Sequence, residues 1–341
     1  MITAIVCIIC LLVLPTVLVY LLLHKFIRRY DMDKYSFSLR CEDMQGEFLP
    51  EHVSFYSGKN RLHGYIFGDE NEKRKGLVVF CHGLFGGAEE YFAFARRFVR
   101  SGYAVFMFDN TGCQRSEGKS IRGALQGLYD LHAAMEYLRT NKSELFAEKT
   151  ALVGHSWGGF TVAAYPLKDT NIRCVISLAG FNKPAPALCN FISGWFGRNL
   201  GFTLPYCMII LLLQYGRCAG ISAVDNINKT ELPYLAVQGT KDKIIHYNSA
   251  SLYNYREHVT NPNVKFILRT DERHNKHNTI FRDANATEYM QERYKLMSRA
   301  NDTEKEKVYT ETDRFAINRL DRELTRAMDA FIVSSFHDDN T

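Results

Sequence analysis

Apolar residues run without a charged interruption from Ile2 to Leu23. At about 1.5 Å per residue those positions span roughly 33 Å as a helix, enough for a hydrocarbon core about 30 Å thick. Pro15 allows a kink within the run without excluding it. The run closes on His24-Lys25-Phe26-Ile27-Arg28-Arg29. A cleaved signal peptide fits poorly, because no Lys or Arg precedes the apolar stretch and no small-x-small site follows it. The basic flank predicts a single-pass anchor over residues 1–24, with the N-terminus outside and the large C-terminal domain in the cytoplasm.

Residues 25–52 read as a polar connector. Beyond it the period of the pattern changes. Val53–Ser57 and Leu62–Phe67 alternate as a hairpin around Ser57-Gly58-Lys59-Asn60. Continuous apolar strands then follow at 76–81, 103–108, 149–155, 172–178, 234–237 and 264–268. Between them lie helical segments such as 89–101 and the spacing Leu128, Leu131, Met135, Leu138. Apolar strands separated by helices predict an α/β fold with a mostly parallel sheet covered on both faces. At the end of the chain, Ile317, Leu320, Leu324, Met328 and Phe331 form one stripe of an amphipathic helix.

The interval 182–231 breaks the rhythm, being long and rich in Phe, Trp, Leu, Ile and Cys. Its run Phe202–Leu213 is short for a membrane span and is interrupted by Pro205, so a helical lid over the sheet edge is the expected form. The domain after residue 53 is therefore one unit reaching residue 341, with the lid inserted.

Composition narrows the classes. The 341 residues carry 42 basic and 37 acidic side chains, a net charge of +5 too dilute for a nucleic-acid surface, and no Lys/Arg block or zinc spacing occurs. Nine cysteines, mostly in apolar segments, suit reduced thiols. Cys7-x-x-Cys10 lies inside the apolar run and reads as two small apolar residues, not as a redox motif.

Gly154-His155-Ser156-Trp157-Gly158-Gly159 stands between a buried strand and a helix. A serine at such a turn sits on a strained elbow with its hydroxyl above the sheet edge. An acyl-transfer serine needs a base, an orienting acid and oxyanion donors. His82-Gly83-Leu84-Phe85-Gly86-Gly87 follows a strand directly, so the backbone N–H of Leu84, or alternatively Phe85, is one candidate donor. The N–H of Trp157 is the other. His82 is expected to brace the loop. Asp242, in Gln238-Gly239-Thr240-Lys241-Asp242, is the candidate acid.

Two histidines compete for the base in Asp271-Glu272-Arg273-His274-Asn275-Lys276-His277-Asn278. His274 is favoured, being five residues past Arg269, with His277 as the alternative. A metal pair at His274 and His277 lacks an apparent third ligand, so no metal or organic cofactor is expected.

From Val53 onward the chain resembles an α/β-hydrolase of the broad group that holds monoacylglycerol lipases, lysophospholipases and serine aminopeptidase-like proteins. The resemblance rests on His82–Gly87, Asp109–Ser116, Gly154–Gly159, Gly239–Asp242 and His274-Asn275. It implies a structural turn at Asp109 and a serine hydrolase; the apolar N-terminal run and the apolar lid add the expectation of a membrane-anchored esterase acting on a lysolipid, monoacylglycerol or small acyl ester. The rival readings are a serine aminopeptidase-like peptidase on the same fold and a non-catalytic membrane-bound binding protein. The sequence does not determine an oligomeric state.

Overall fold

The computed structural model describes residues 9–69, 74–167, 169 and 171–337. The first part of the expected anchor, with Cys7 of the Cys7-x-x-Cys10 pair, lies outside the described residues.

Eight strands form one sheet in the order β1-β2-β4-β3-β5-β6-β7-β8. They are β1 (Glu51–Ser57), β2 (Asn60–Phe67), β3 (Leu77–Cys81), β4 (Ala104–Phe108), β5 (Thr150–His155), β6 (Ile172–Leu178), β7 (Tyr234–Gly239) and β8 (Val264–Arg269). Antiparallel pairing joins β1 to β2 and β2 to β4, and every pairing from β4 to β8 is parallel. The hairpin closes at Ser57↔Asn60, with Gly58 at φ 60°, a left-handed value that costs glycine little.

The inner strands are apolar throughout because helices cover both faces. Leu77, Val79 and Cys81 of β3 point into one core with Phe106, Leu131 and Phe160, while Val78 and Phe80 point into the other with Phe92, Phe98 and Met328. The first core is closed by α3 (Gln126–Asn141) and α4 (Trp157–Ala164), the second by α2 (Phe92–Arg100) and α10 (Arg322–His337).

Between β6 and β7 lies the insertion: α5 (Pro184–Phe196), α6 (Leu204–Tyr215) and α7 (Ala223–Ile227). The stretch Gly201–Ile227 is long and apolar enough to cross a membrane, with a mean hydropathy of 1.6. It is nonetheless divided, since Gly216 takes φ 56° and a 3₁₀ turn runs from Gly216 to Gly220.

At the N-terminal side, a π-turn at Ile9–Val13 leads into α1 (Leu14–Phe26). Pro15 sits in the first turn of α1, directly after the π-turn. Val19 and Leu23 of α1 are buried against Ala185, Ile192, Cys207, Ile210 and Leu211 of the insertion.

Two expectations need correction. The segment 25–52 is not a loose connector. Tyr30 pairs with Cys113, Arg29 donates hydrogen bonds to the carbonyls of Gln114, Ser116 and Gly118, and Phe37, Leu39 and Met44 are buried. Its scattered apolar residues have no period, so their docking was invisible in the pattern. The C-terminal stripe also divides: Ile317 lies in a short helix Arg314–Ile317 and Leu320 in a bridge, leaving Leu324, Met328 and Phe331 on α10. Two polar helices before it, α8 (Ala284–Met297) and α9 (Asp302–Thr310), carried no strong apolar stripe in the sequence.

Phe106 is fully buried, with Phe55, Phe108 and Tyr137 rings at 6.0, 5.9 and 6.2 Å. Phe106→Ala should therefore lower unfolding stability by about 3–5 kcal/mol, read as a lower urea midpoint; an unchanged midpoint would contradict this packing.

Candidate active site

β5 ends at His155 and α4 begins at Trp157, so the whole reversal occurs at Ser156, which holds φ 56° and ψ −113°. A non-glycine residue at positive φ costs of order 1–3 kcal/mol and persists only where its surroundings dictate it. The flanking glycines supply those surroundings. A Cβ on Gly154 would meet Gly158 O at 2.3 Å, and one on Gly158 would meet Cys81 O at 2.0 Å. The Ser156 N–H donates to Leu178 O at 2.7 Å, tying the turn to β6.

The structure brings His277, and not His274, to this serine. Ser156 Oγ lies 2.9 Å from His277 Nε2, and His277 Nδ1 lies 2.7 Å from Asp242 Oδ2. The loop after β8 is longer than expected because its first turn is anchored locally. His274 pairs through Nδ1 with Asp271 and stands 3.5 Å from Asp321 through Nε2. Asn275 O then accepts the Lys241 N–H at 2.8 Å, fastening this loop to the one that carries Asp242. Only beyond that clamp can the chain present a ring above the elbow. The two histidines diverge, and among the described residues no cluster of three or more His, Cys, Asp or Glu could hold a metal.

Asp242 is held rigidly. Oδ1 accepts the N–H groups of Ile244 and Ile245 at 2.8 and 2.9 Å, and Oδ2 accepts Gln238 Nε2 at 3.0 Å. Burial alone raises a carboxyl pKa, but the charge and hydrogen bond of His277, with those two N–H groups, outweigh it and hold Asp242 below its ordinary value. An ionised Asp242 can only accept, so His277 Nδ1 carries the proton and Nε2 is free to accept from the serine hydroxyl.

Two residues that sequence reasoning passed over connect the loops. Gly83 N–H donates to Tyr91 Oη at 3.2 Å, Tyr91 O–H donates to His155 Nδ1 at 2.8 Å, and His155 Nε2–H donates to His277 O at 3.1 Å. Burial, then the nearby His277, push the His155 pKa down to about 3, so the ring is neutral and can both accept and donate. His155 was visible only as the variable position of the serine motif, and Tyr91 as a helix residue.

His82 braces the loop: Nε2 accepts the Asn110 N–H at 2.9 Å, which leaves Nδ1–H to donate to Gly83 O at 2.7 Å. Asp109 accepts Ala88 N–H at 2.8 Å inside the fold, away from Ser156. Phe85 takes φ 56° and directs its ring toward Tyr30 and Phe191.

A cavity of about 500 Å³ lies over Ser156. Leu84, Phe85, Trp157 and His277 line it together with Leu188 and Phe191 of α5, Tyr30 before β1, and Arg282, Met290 and Tyr294 after β8. Among the described residues, no backbone hydrogen bond uses the N–H of Leu84 or of Trp157.

The sequence model of the family described as alpha/beta hydrolase fold matches residues 76–206. The quorum-quenching protein AidA of Acinetobacter baumannii is 32% identical over 136 residues, 39% of this chain and 44% of that protein. A proline iminopeptidase of Clostridioides difficile is 30% identical over 103 residues, 30% of this chain and 33% of that one. The chain thus spans less than half the length of the curated relatives it matches. Among solved structures, the Pyrococcus furiosus esterase Pf2001 superposes with a TM-score of 0.54 at 18% identity, covering 80% of this chain and 96% of that one. Est1E of Butyrivibrio proteoclasticus gives 0.50 at 18% identity, covering 73% and 100%. Residues 76–206 thus resemble the α/β-hydrolase family, and the chain has the α/β-hydrolase fold.

Alanine variants separate the two histidines. His277→Ala should slow labelling of Ser156 by a fluorophosphonate about 10³-fold or more, while His274→Ala keeps most of the rate; the reverse order would refute the arrangement.

Proposed function

We propose that this chain is a serine hydrolase that cleaves a carboxylic ester, with a lysolipid, monoacylglycerol or small acyl ester as substrate class. The observation that carries the reading is the hydrogen-bonded series Ser156, His277, Asp242 beneath an apolar cavity. Ser156 Oγ attacks the ester carbonyl as His277 Nε2 takes its proton. Asp242 holds the ring in the accepting tautomer and stabilises the imidazolium that forms. The N–H groups of Leu84 and Trp157 receive the oxyanion, each worth about 3–4 kcal/mol of barrier when preorganised. His277 returns the proton to the leaving alcohol, and water then releases the acyl group by the same steps in reverse.

The insertion forms one side of the cavity through Pro184, Ala187, Leu188 and Phe191, which supports its reading as a lid that accepts an acyl chain. Attachment to a bilayer is supported by the outer surface of α1 and the insertion. Leu11 just before α1 and Leu18 and Leu21 on it are 67, 60 and 59% exposed, and Phe202 and Leu213 of the insertion, which packs against α1, are 68 and 81% exposed. Apolar side chains at that density on one helical bundle mark a lipid- or protein-facing surface. Arg28 and Arg29 directly after α1 favour a catalytic domain on the cytoplasmic side.

A second reading, an aminopeptidase, is favoured by Glu90 on the cavity wall. Its oxygens already accept from Tyr30 Oη at 3.1 Å, Gln114 Nε2 at 3.2 Å and Gly87 N–H at 2.8 Å. Burial pushes its pKa up to about 7, which weakens it as a site for a substrate ammonium and leaves the ester reading ahead.

Wild-type protein should be labelled by a fluorophosphonate and release acid from a panel of acyl esters, and Ser156→Ala should do neither. Faster turnover of peptides with free N-termini than of any ester would favour the second reading. With liposomes, Leu11→Asn/Leu18→Asn/Leu21→Asn should lose most of the flotation seen for wild type, and equal flotation would remove α1 from the contact.

A further inference from the structure

Arg282 and Glu90 are the Asp, Glu, Lys or Arg side chains among the residues lining the cavity over Ser156. Arg282 follows the base by five positions, at the end of the loop that delivers it. Its Nη1 donates to Ile317 O at 2.5 Å and reaches Asn318 Oδ1 at 3.5 Å, both neutral acceptors. Nε is buried with no hydrogen-bond partner. Arg282 belongs to none of the ion pairs of the described residues.

Four other partly buried arginines have a carboxylate partner. Arg269 pairs with Asp321 at 2.7 Å, Arg74 with Glu148 at 3.1 Å, Arg97 with Asp329 and Arg314 with Asp43. Glu90 does not compensate Arg282, because its oxygens are occupied by Tyr30, Gln114 and Gly87. The neighbours whose ionisation feels the guanidinium are Tyr91, Tyr294 and His155, and none of them supplies a negative charge at neutral pH. Burial holds the Arg282 pKa below its ordinary value, as expected of a cation without a counter-ion.

An arginine retained on a cavity wall with an unused Nε edge is matched by a planar or tetrahedral oxyanion, which the guanidinium fork can bind through two parallel N–H donors. We infer that Arg282 is a specificity residue of the site, and that the ester cleaved carries a carboxylate or phosphate group besides its scissile bond. This rests on the hydrolase reading above. The anion sits against Arg282 while the acyl carbonyl lies at Ser156. The apolar wall formed by Leu188, Phe191 and Phe281 covers the chain between them.

The experiment compares two matched ester pairs. One is 4-nitrophenyl pentanoate against the 4-nitrophenyl hemiester of glutaric acid, which places a carboxylate on the acyl side. The other is 1-oleoylglycerol against its 3-phosphate, which places the anion on the alcohol side. The readout is the ratio of kcat/KM within each pair, which cancels the fraction of folded enzyme. Wild type should favour the anionic member of at least one pair by about tenfold or more, as expected for a charge-assisted contact. Arg282→Gln should collapse that ratio, and Arg282→Lys should retain part of it. Which pair responds distinguishes an acyl carboxylate from an alcohol phosphate.

A wild-type ratio near one in both pairs, or a ratio that Arg282→Gln leaves intact, would overturn the inference while leaving ester hydrolysis standing. If neither pair is cleaved, the hydrolase reading is the one that fails. Glutarate and glycerol 3-phosphate are then titrated against the thermal unfolding of Ser156→Ala. A rise in Tm that is lost in Ser156→Ala/Arg282→Gln supports an anion site, and no rise refutes it.

Discussion

The close approach of three strand ends beneath the turn at Ser156 is the constraint on which the rest of the site depends. β3 must come near enough to β5 for Cys81 O to lie where a Cβ of Gly158 would be, and β6 near enough for Leu178 O to accept from Ser156 N–H. No side chain larger than hydrogen fits at Gly154 or Gly158, and the serine accepts an unfavourable φ in return for a hydroxyl clear of the sheet. The parallel order β4-β3-β5-β6 places the Leu84 loop on one side of that hydroxyl and the chain after β6 on the other. A nucleophile in the crevice beyond the carboxyl ends of parallel strands follows from the topology.

What converts three separate loops into one site is a neutral hydrogen-bond relay. Gly83, Tyr91, His155 and the carbonyl of His277 link the loop after β3, the elbow and the base loop. Lys241 and Asn275 link the acid and base loops on the other side. Each donor and acceptor in the relay has one role, so the tautomer of His155 is determined.

The cavity has a different origin from the triad. The triad comes from strand ends, whereas the walls come from the insertion, the segment before β1 and the polar helices after β8. The segment read as a connector thus contributes Tyr30 to the wall, and α8 contributes Met290 and Tyr294. The charged groups on the wall are Glu90, between β3 and α2 and held by Tyr30 and Gln114, and Arg282, at the end of the base loop and held by the Ile317 carbonyl.

The strands were legible in the sequence because full burial on both faces demands uninterrupted apolar runs, and the elbow because only glycines fit around Ser156. Those same demands made Asp242 legible, as a carboxylate at the end of a parallel strand after the nucleophile. The choice between His274 and His277 was not legible. Two residues of loop lie between them, and what decides is that Asp271 and Asp321 engage the first while Asn275 clamps the chain between them. Likewise, the sequence by itself determined that the Ile2–Leu23 run is apolar, but only tertiary packing laid its described part against the insertion. Local periodicity and steric exclusion can be read along one chain. Contacts between loops, such as those that place His277 at Ser156 and Arg282 at the Ile317 carbonyl, exist only once distant segments are brought together.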